Sequence, residues 1–473
     1  MLKRLLLSSS ALLLPALAIA SEPAHGDAAH ASLGQFLPVW SVIPFAGLLL
    51  SIALMPIFAE HFWHKTRNQL LVAVGWASPV FFYLLYLAAT DAHGLGHDAQ
   101  HGLTHAVIEY VSFIALLGSL YVISGGILLR GDLQAKPGVN TAFLAIGAVL
   151  ANIIGTTGAS MLLIRPMLRT NADRKHVWHI PLFFIFLVSN IGGALTPIGD
   201  PPLFLGYLRG VPFFWTFTHL WHIWLPVVGV LLAGFFALDT MMYRKEASAD
   251  IARDAKSMEP LGLEGNINFL LLAGVIASVL LLSPNPEVID FRHYYAREIA
   301  MFALAGVSMV VTSRSLRERN GFEWGPIAEV GALFVGIFVA MIPATVLLQE
   351  HGSEFGLSAP WHYFWATGGL SAFLDNAPTY VTFAAMACGT DVACTSAENL
   401  APLTGSSMEI LVAISLGSVF CGAGSYIGNG PNFMVRAIAE SNGYKMPSFF
   451  GYVGYAALFL GPVFALVTLI WLI

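Results

Sequence analysis

Apolar residues run in long blocks along this chain, separated by short polar segments. Twelve blocks can be drawn, at 38–59, 69–90, 107–129, 140–163, 178–205, 219–242, 266–283, 298–312, 326–349, 361–388, 407–440 and 447–472. Most reach the roughly 20 residues that an α-helix needs to cross the hydrocarbon core of a bilayer. In lipid, backbone N–H and C=O groups must be satisfied within the protein, and blocks of this length do that as helices. The pattern predicts an all-α polytopic membrane protein.

Composition sharpens this. Of 473 residues, 57% are hydrophobic and 11% charged, against about 25% charged in ordinary soluble domains. The mean hydropathy is +0.73. A soluble enzyme and a nucleic-acid binder, which needs a basic face, are both excluded. No enzyme activity, cofactor or metal centre is indicated. Residues 1–20 read as a cleaved signal peptide, with Lys3 and Arg4 ahead of an apolar stretch and Ala18-Ile19-Ala20 as the cleavage site. The mature N-terminus is then expected in the periplasm, and the protein in a bacterial inner membrane.

Charge decides how the blocks thread. If 140–163 and 361–388 are re-entrant hairpins, seventeen Lys and Arg residues fall inside and only Arg209, Arg292 and Arg297 outside, apart from Lys3 and Arg4 in the leader. A full crossing at 140–163 would put Arg165, Arg169, Arg174 and Lys175 outside, against the positive-inside rule. The expectation is about ten spans plus two hairpins.

The two halves also match weakly. Ile198-Gly199-Asp200-Pro201-Pro202-Leu203-Phe204 resembles Ile427-Gly428-Asn429-Gly430-Pro431-Asn432-Phe433, offset by 229 residues. Each copy follows a hairpin candidate, and the threading gives the two halves opposite topology. Inverted repeats with Gly- and Pro-interrupted helices in matching places point to a secondary transporter with its site at the midplane. The expected layout is an N-terminal segment at 21–106 with two spans and a His-rich loop, repeat 1 at 107–242, a charged linker with two connecting helices at 243–325, and repeat 2 at 326–473.

Candidate chemistry lies in the hairpin tips and the breaks. The segment 189–202 contains Pro197, Pro201 and Pro202 and cannot be one continuous helix. It offers free carbonyls, the Ser189, Asn190 and Thr196 side chains, and the Asp200 carboxylate. Hard cations favour such oxygen ligands. The first hairpin tip supplies Asn152, Thr156 and Thr157. The second supplies Asp375, Asn376 and Thr379, and the second break Ser425, Asn429 and Asn432. Asp375 either carries a cation or proton or caps the next helix, and the two roles are compatible. Glu109, Glu329 and Glu409 read as interfacial or lining residues, and Asp239 as solvated near the inner surface. His93, His97, His101 and His105 recur every four residues and would form one stripe on a helix. Cys388 and Cys394 can form one bridge or stay separate.

The Ser189–Pro202 stretch with the following Leu203 to Phe213, the Leu374-Asp375-Asn376-Ala377-Pro378-Thr379 motif, and the Leu37-Pro38-Val39-Trp40-Ser41-Val42-Ile43-Pro44-Phe45 segment resemble NhaD-type sodium/proton antiporters of the ion transporter superfamily. The resemblance covers most of 36–473. The Asp-Asn-Ala-Pro-Thr motif is shared with arsenite and related anion transporters. The resemblance implies Na⁺ or Li⁺ export against H⁺, with Asp200 and Asp375 coupling cation and proton. Among ligands it implies Asn152, Thr156, Thr157, Asn190, Thr196, Asn376, Thr379, Ser425 and Asn429. The partners are then Na⁺, Li⁺, H⁺ and membrane lipid, with a homodimer left open and no nucleic acid. Gly430 stands where the first break has Pro201, so the two sites need not be symmetric.

Two other functions fit less well. An arsenite or dicarboxylate transporter on the same scaffold would favour a Lys or Arg at the tips or breaks, and there is none. An intramembrane aspartyl protease would need Tyr-Asp and Gly-x-Gly-Asp sequences, which Asp375 and Asp200 lack.

Overall fold

The computed structural model describes residues 32–257, 259–282 and 295–473. The leader at 1–20 and Arg292 lie outside the described residues. The described chain is almost wholly helical, as the blocks of apolar residues require. Among the described residues, six helices are long and apolar enough to cross a membrane, or seven if Gly325–Ala340 and Ile342–Phe355, bent by 43° at their junction, form one span. Shorter apolar helices complete the set at His179–Leu195, Ile267–Leu281 and Met408–Gly424.

One of the six is folded back on itself. Pro137–Thr170 breaks at Gly155, which has φ 78° and ψ 155°. Asn140 Nδ2 donates to Asn171 Oδ1 at 2.9 Å, and Asn171 Nδ2 donates back to Asn140 Oδ1 at 2.7 Å. On a straight helix residues so far apart in sequence would lie roughly 45 Å apart. The paired amides therefore close a hairpin whose tip is Gly155, where only a glycine takes this backbone without strain. The second hairpin is Pro360–Ser371 and Asn376–Thr390, joined through 372–375.

Both expected breaks are present. The first runs from helix His179–Leu187 through a 3-10 turn at Ile191–Leu195 into helix Pro201–Leu208. The second runs from Met408–Cys421 through Gly422–Gly424 into Gly430–Ser441. Their geometry repeats. A Cβ on Gly199 would collide with the carbonyl of Gly193, and one on Gly428 with that of Gly422. In each half a glycine lets the extended link lie against the turn six residues before it.

The hairpins and broken helices pack on one another, and two further helix pairs, Thr66–Thr90 with Gly325–Ala340 and Ile267–Leu281 with Ala296–Val311, each pack on Gly96–Ser124, which also touches the first hairpin. The linker between the halves is more ordered than its charge suggested. Leu128–Asp132 pairs antiparallel with Glu259–Glu264, Leu128 opposite Glu264. Asp254 accepts from the Ala135 N–H at 3.0 Å, and Glu246 accepts from the His176 N–H at 2.7 Å.

Three expectations are corrected. Asp239 is fully buried, not solvated. Its carboxylate accepts from Arg174 at 2.6 Å, His179 at 2.9 Å and Asn140 at 2.9 Å. A charge there is tolerable because it is paired. His93 leaves the expected stripe: it sits in a 3-10 turn at φ 64° and packs on Phe36, while His97, His101 and His105 stay on the helix. Glu109 does not line the site but forms a buried bidentate pair with Arg209. Cys388 and Cys394 form the bridge that the sequence left open.

Candidate functional site

Four helix starts converge on one carboxylate. Thr156 opens the return leg of the first hairpin, and its hydroxyl donates to Asp200 Oδ1 at 2.8 Å. Asn376 opens the return leg of the second hairpin and donates to Asp200 Oδ2 at 2.6 Å. Asn429, at the N-cap of Gly430–Ser441, donates to Asp200 Oδ1 at 2.9 Å. Asp200 is itself the N-cap of Pro201–Leu208. N-cap side chains normally bond the first N–H groups of their own helix. Neither Asp200 nor Asn429 does so, and both are turned inward to each other. The proline in each first turn reduces the number of N–H groups left to cap.

Around this carboxylate lies a layer of amides. Asn190 Nδ2 donates to Asn432 Oδ1 at 2.7 Å and to the Ile185 carbonyl at 2.8 Å. Asn432 Nδ2 is held by the Gly422 and Ser425 carbonyls, each at 2.8 Å. The side-chain oxygens of Asn190 and Asn376 are buried without a hydrogen-bond partner. The two amides lie side by side over Gly422, where a Cβ would sit 3.0 Å from Asn190 Oδ1 and 3.3 Å from Asn376 Nδ2. Two orphaned amide oxygens beside a carboxylate are oxygen donors without a partner, and a buried acceptor in that state is costly unless something fills it.

The remaining candidates divide. Asn152 is spent on structure: its Nδ2 donates to the Gly192 carbonyl at 2.6 Å and its Oδ1 accepts from the Leu195 N–H at 2.8 Å. Thr196 donates to the Asn152 carbonyl at 2.6 Å, and the Thr156 N–H donates to the Gly199 carbonyl at 2.8 Å. These bonds dock the first hairpin tip on the first break. Ser189 and Ser160 hydroxyls share a 2.8 Å bond, and the Ser189 carbonyl accepts from Asn429 at 3.1 Å. Ser425 accepts from the Ile427 N–H. Thr379 bonds back to the Asp375 carbonyl at 2.8 Å. Thr157 is half-buried and makes none of these contacts.

Asp375 and Asp200 share no hydrogen bond. Asp375 turns to its own helix and accepts from the Ala377 N–H at 3.0 Å, and its neighbour Asn376 reaches Asp200 instead. Asp375 is near enough for its charge to act on Asp200. Sequence reasoning missed Ser160 as part of this layer. Its signal was one helical turn from Thr156 on the same face.

Across residues 34–472 the chain matches the family described as "Putative citrate transport". The chain belongs to that family. No curated protein matches it. Membership makes the protein a secondary transporter of the wider ion and anion transporter superfamily, without singling out the NhaD type. The citrate-transport family match spans both hairpins and both breaks, so the site just described falls wholly within it.

Proposed function

We propose that this transporter exchanges Na⁺ or Li⁺ for H⁺, with cation and proton competing for Asp200. The observation that carries the reading is the donor set. The buried Asp200 carboxylate is bonded by Asn376, whose Oδ1 is unpartnered, and a second unpartnered oxygen, Asn190 Oδ1, lies with Asn376 over Gly422. A small hard cation takes such oxygen ligands. A proton on Asp200 needs only that the Thr156 hydroxyl turn from donor to acceptor, which a rotor can do and an amide N–H cannot. No Lys or Arg bonds to this layer among the described residues. A tricarboxylate would meet the Asp200 and Asp375 carboxyl groups there with no cationic side chain to offset them. Asp375 is the second proton-binding group in this reading, acting on Asp200 through its charge. Coupling follows if the carrier changes sides only when the site holds a cation or protons.

The family description favours a second reading, citrate transport. The four converging helix N-termini carry partial positive charge and suit an anion. One experiment separates the two. In proteoliposomes with an imposed pH gradient, Na⁺ or Li⁺ is expected to collapse the gradient, and labelled citrate is not expected to accumulate under a Na⁺ or H⁺ gradient. Citrate uptake without cation-driven proton flux would replace the first reading with the second.

A further inference from the structure

Away from the site, a ladder of charge joins three elements at the end of the bundle opposite Arg174. The first turns of Gly96–Ser124 precede the apolar run that begins near Val107. They carry His97, His101 and His105 on one face, with ring centroids 6.1 and 6.3 Å apart. Exposure falls down the stack, from 90% for the His97 side chain to 58% for His101 and 23% for His105. Glu398, from the loop after the second hairpin, spans two of the rings. Its Oε2 lies 3.2 Å from His101 Nδ1 and its Oε1 4.0 Å from His105 Nδ1.

One turn deeper, Glu109 lies 3.7 Å from His105 and binds Arg209 through Nε at 2.7 Å and Nη2 at 2.8 Å. Arg209 follows the helix Pro201–Leu208 of the first broken span. Its Nη1 donates to the Ala397 carbonyl at 3.0 Å, and its own carbonyl accepts from the Leu400 N–H at 2.6 Å. The other groups facing the ladder are Asp98 beside His97, Tyr380 of the second hairpin beside Arg209, and the neutral Gln349, which holds the Ala397 N–H and the Thr395 carbonyl.

We propose that His101, His105 and Glu398 form a pH-operated latch that holds the 395–400 loop against Gly96–Ser124 and the end of the first broken helix when the solution on that side is acidic, and frees it when that solution is alkaline. Glu398 is the only carboxylate the loop offers to the stack; His101 Nδ1 faces it, and His105 Nδ1 lies between it and Glu109. The Glu398 hydrogen bond raises His101 above its ordinary value of 6.5, outweighing the opposite effect of its burial. Burial would raise Glu398 in turn, but the His101 hydrogen bond and the nearby His105 and Arg209 charges hold it below the usual carboxylate range. The sign follows. The imidazolium contact is fully present below the unfolded value of 6.5 and is lost as pH rises through the higher value in the folded protein. The loop leads from the second hairpin into the second broken helix, and its two bonds to Arg209 tie that half to the end of the first broken span. The latch acts whatever ion or anion the transporter carries.

The test is hydrogen exchange of the purified full chain in lipid nanodiscs from pH 5.5 to 9, with labelling times corrected for intrinsic exchange. In the native protein, protection of amides in 395–400 is expected to fall about tenfold across the histidine titration, while 411–421 stays protected. The double variant His101→Gln with His105→Gln, and separately Glu398→Gln, should show weak protection of the loop at every pH. Both leave the Glu109–Arg209 pair in place. A native loop whose protection has no pH step, or variants that keep the step, would overturn the proposal. Because exchange is read without any transport, failure of the latch and failure of the cation reading are separate results.

Discussion

Asn376 donates to Asp200 across 2.6 Å, from a position 176 residues further along the chain. This one bond joins the tip of the second hairpin to the break of the first half. It makes Asp200 the point where both halves report on what the site holds. Asp375, one residue earlier, is turned away to cap its own helix.

The two aspartates should therefore fail differently. Asp200→Asn is expected to abolish cation-driven proton flux in a well-inserted protein. Asp375→Asn should insert normally, because Asn caps a helix about as well as Asp. It should retain slower exchange that has lost its response to voltage, having lost one of two protons per cation. The measurement is proteoliposome exchange with the membrane potential clamped by K⁺ and valinomycin. Equal voltage dependence in the native protein and Asp375→Asn would remove Asp375 from the stoichiometry.

Asn429→Ala and Asn152→Ala should separate ligand from scaffold. Asn429 touches Asp200 directly, so its loss should raise the apparent Na⁺ constant, with a smaller drop in the thermal midpoint from the Ser189 carbonyl it leaves unpaired. Asn152 satisfies a buried carbonyl and a buried N–H of the first break. Leaving such groups unpaired costs about 1–3 kcal/mol each. Asn152→Ala should lower the melting temperature in detergent more than it changes Na⁺ affinity. A stable Asn152→Ala protein with a shifted Na⁺ constant would return this residue to the ligand set.

Asp239→Asn removes the carboxylate that pairs with Arg174 at full burial. Glu246 stands 3.8 Å from Arg174 and offsets the loss only in part. Removing one partner of a buried pair costs about 3–5 kcal/mol in soluble proteins. The variant should be poorly expressed or melt well below the native protein, and Arg174→Met combined with Asp239→Leu should recover only part of the loss, since His179 and Asn140 lose the same acceptor. Thermal unfolding followed by tryptophan fluorescence reports both.

Transport should also sense acid on the histidine side. As pH falls below 6.5 on that face, the His101–Glu398 contact is complete and the loop is held. Raising pH through the elevated His101 value releases it. Initial exchange rates should thus rise with pH on that face, and the rise should flatten in His101→Gln with His105→Gln. Maximal rates at alkaline pH should match the native protein, since these residues do not touch Asp200.

Much of the architecture was legible in the sequence for a physical reason. Polar backbone cannot meet lipid, so prolines and glycines at 192–202 and 422–431 had to mark breaks, and positive charge had to choose a side for the 140–163 hairpin. The tip assigned to Asn152, Thr156 and Thr157 brackets the break at Gly155, but the paired Asn140 and Asn171 were not readable, because nothing local marks two asparagines as partners. The structure brings Thr156, Asn190, Asp200, Asn376 and Asn429 together, but their division of labour was not legible. Nothing in a sequence distinguishes an Asn that stitches backbone, as Asn152 does, from one that leaves its oxygen free, as Asn376 does. Asp239 was misjudged because its partners, Arg174, His179 and Asn140, come from three other segments. The pairing of Leu128–Asp132 with Glu259–Glu264 was hidden by the same distance in sequence.

The meeting of four helix starts at Asp200 has one more consequence. Such a junction is a receptor for negative charge, and here the chain supplies the negative charge itself. Asp200 acts as a tethered guest, held where a free carboxylate would otherwise dock. In the cation reading, one covalent carboxylate fills the junction that a carried anion would fill in the citrate reading. The cargo is then set by whether the occupant of that junction is attached to the backbone or arrives from solution.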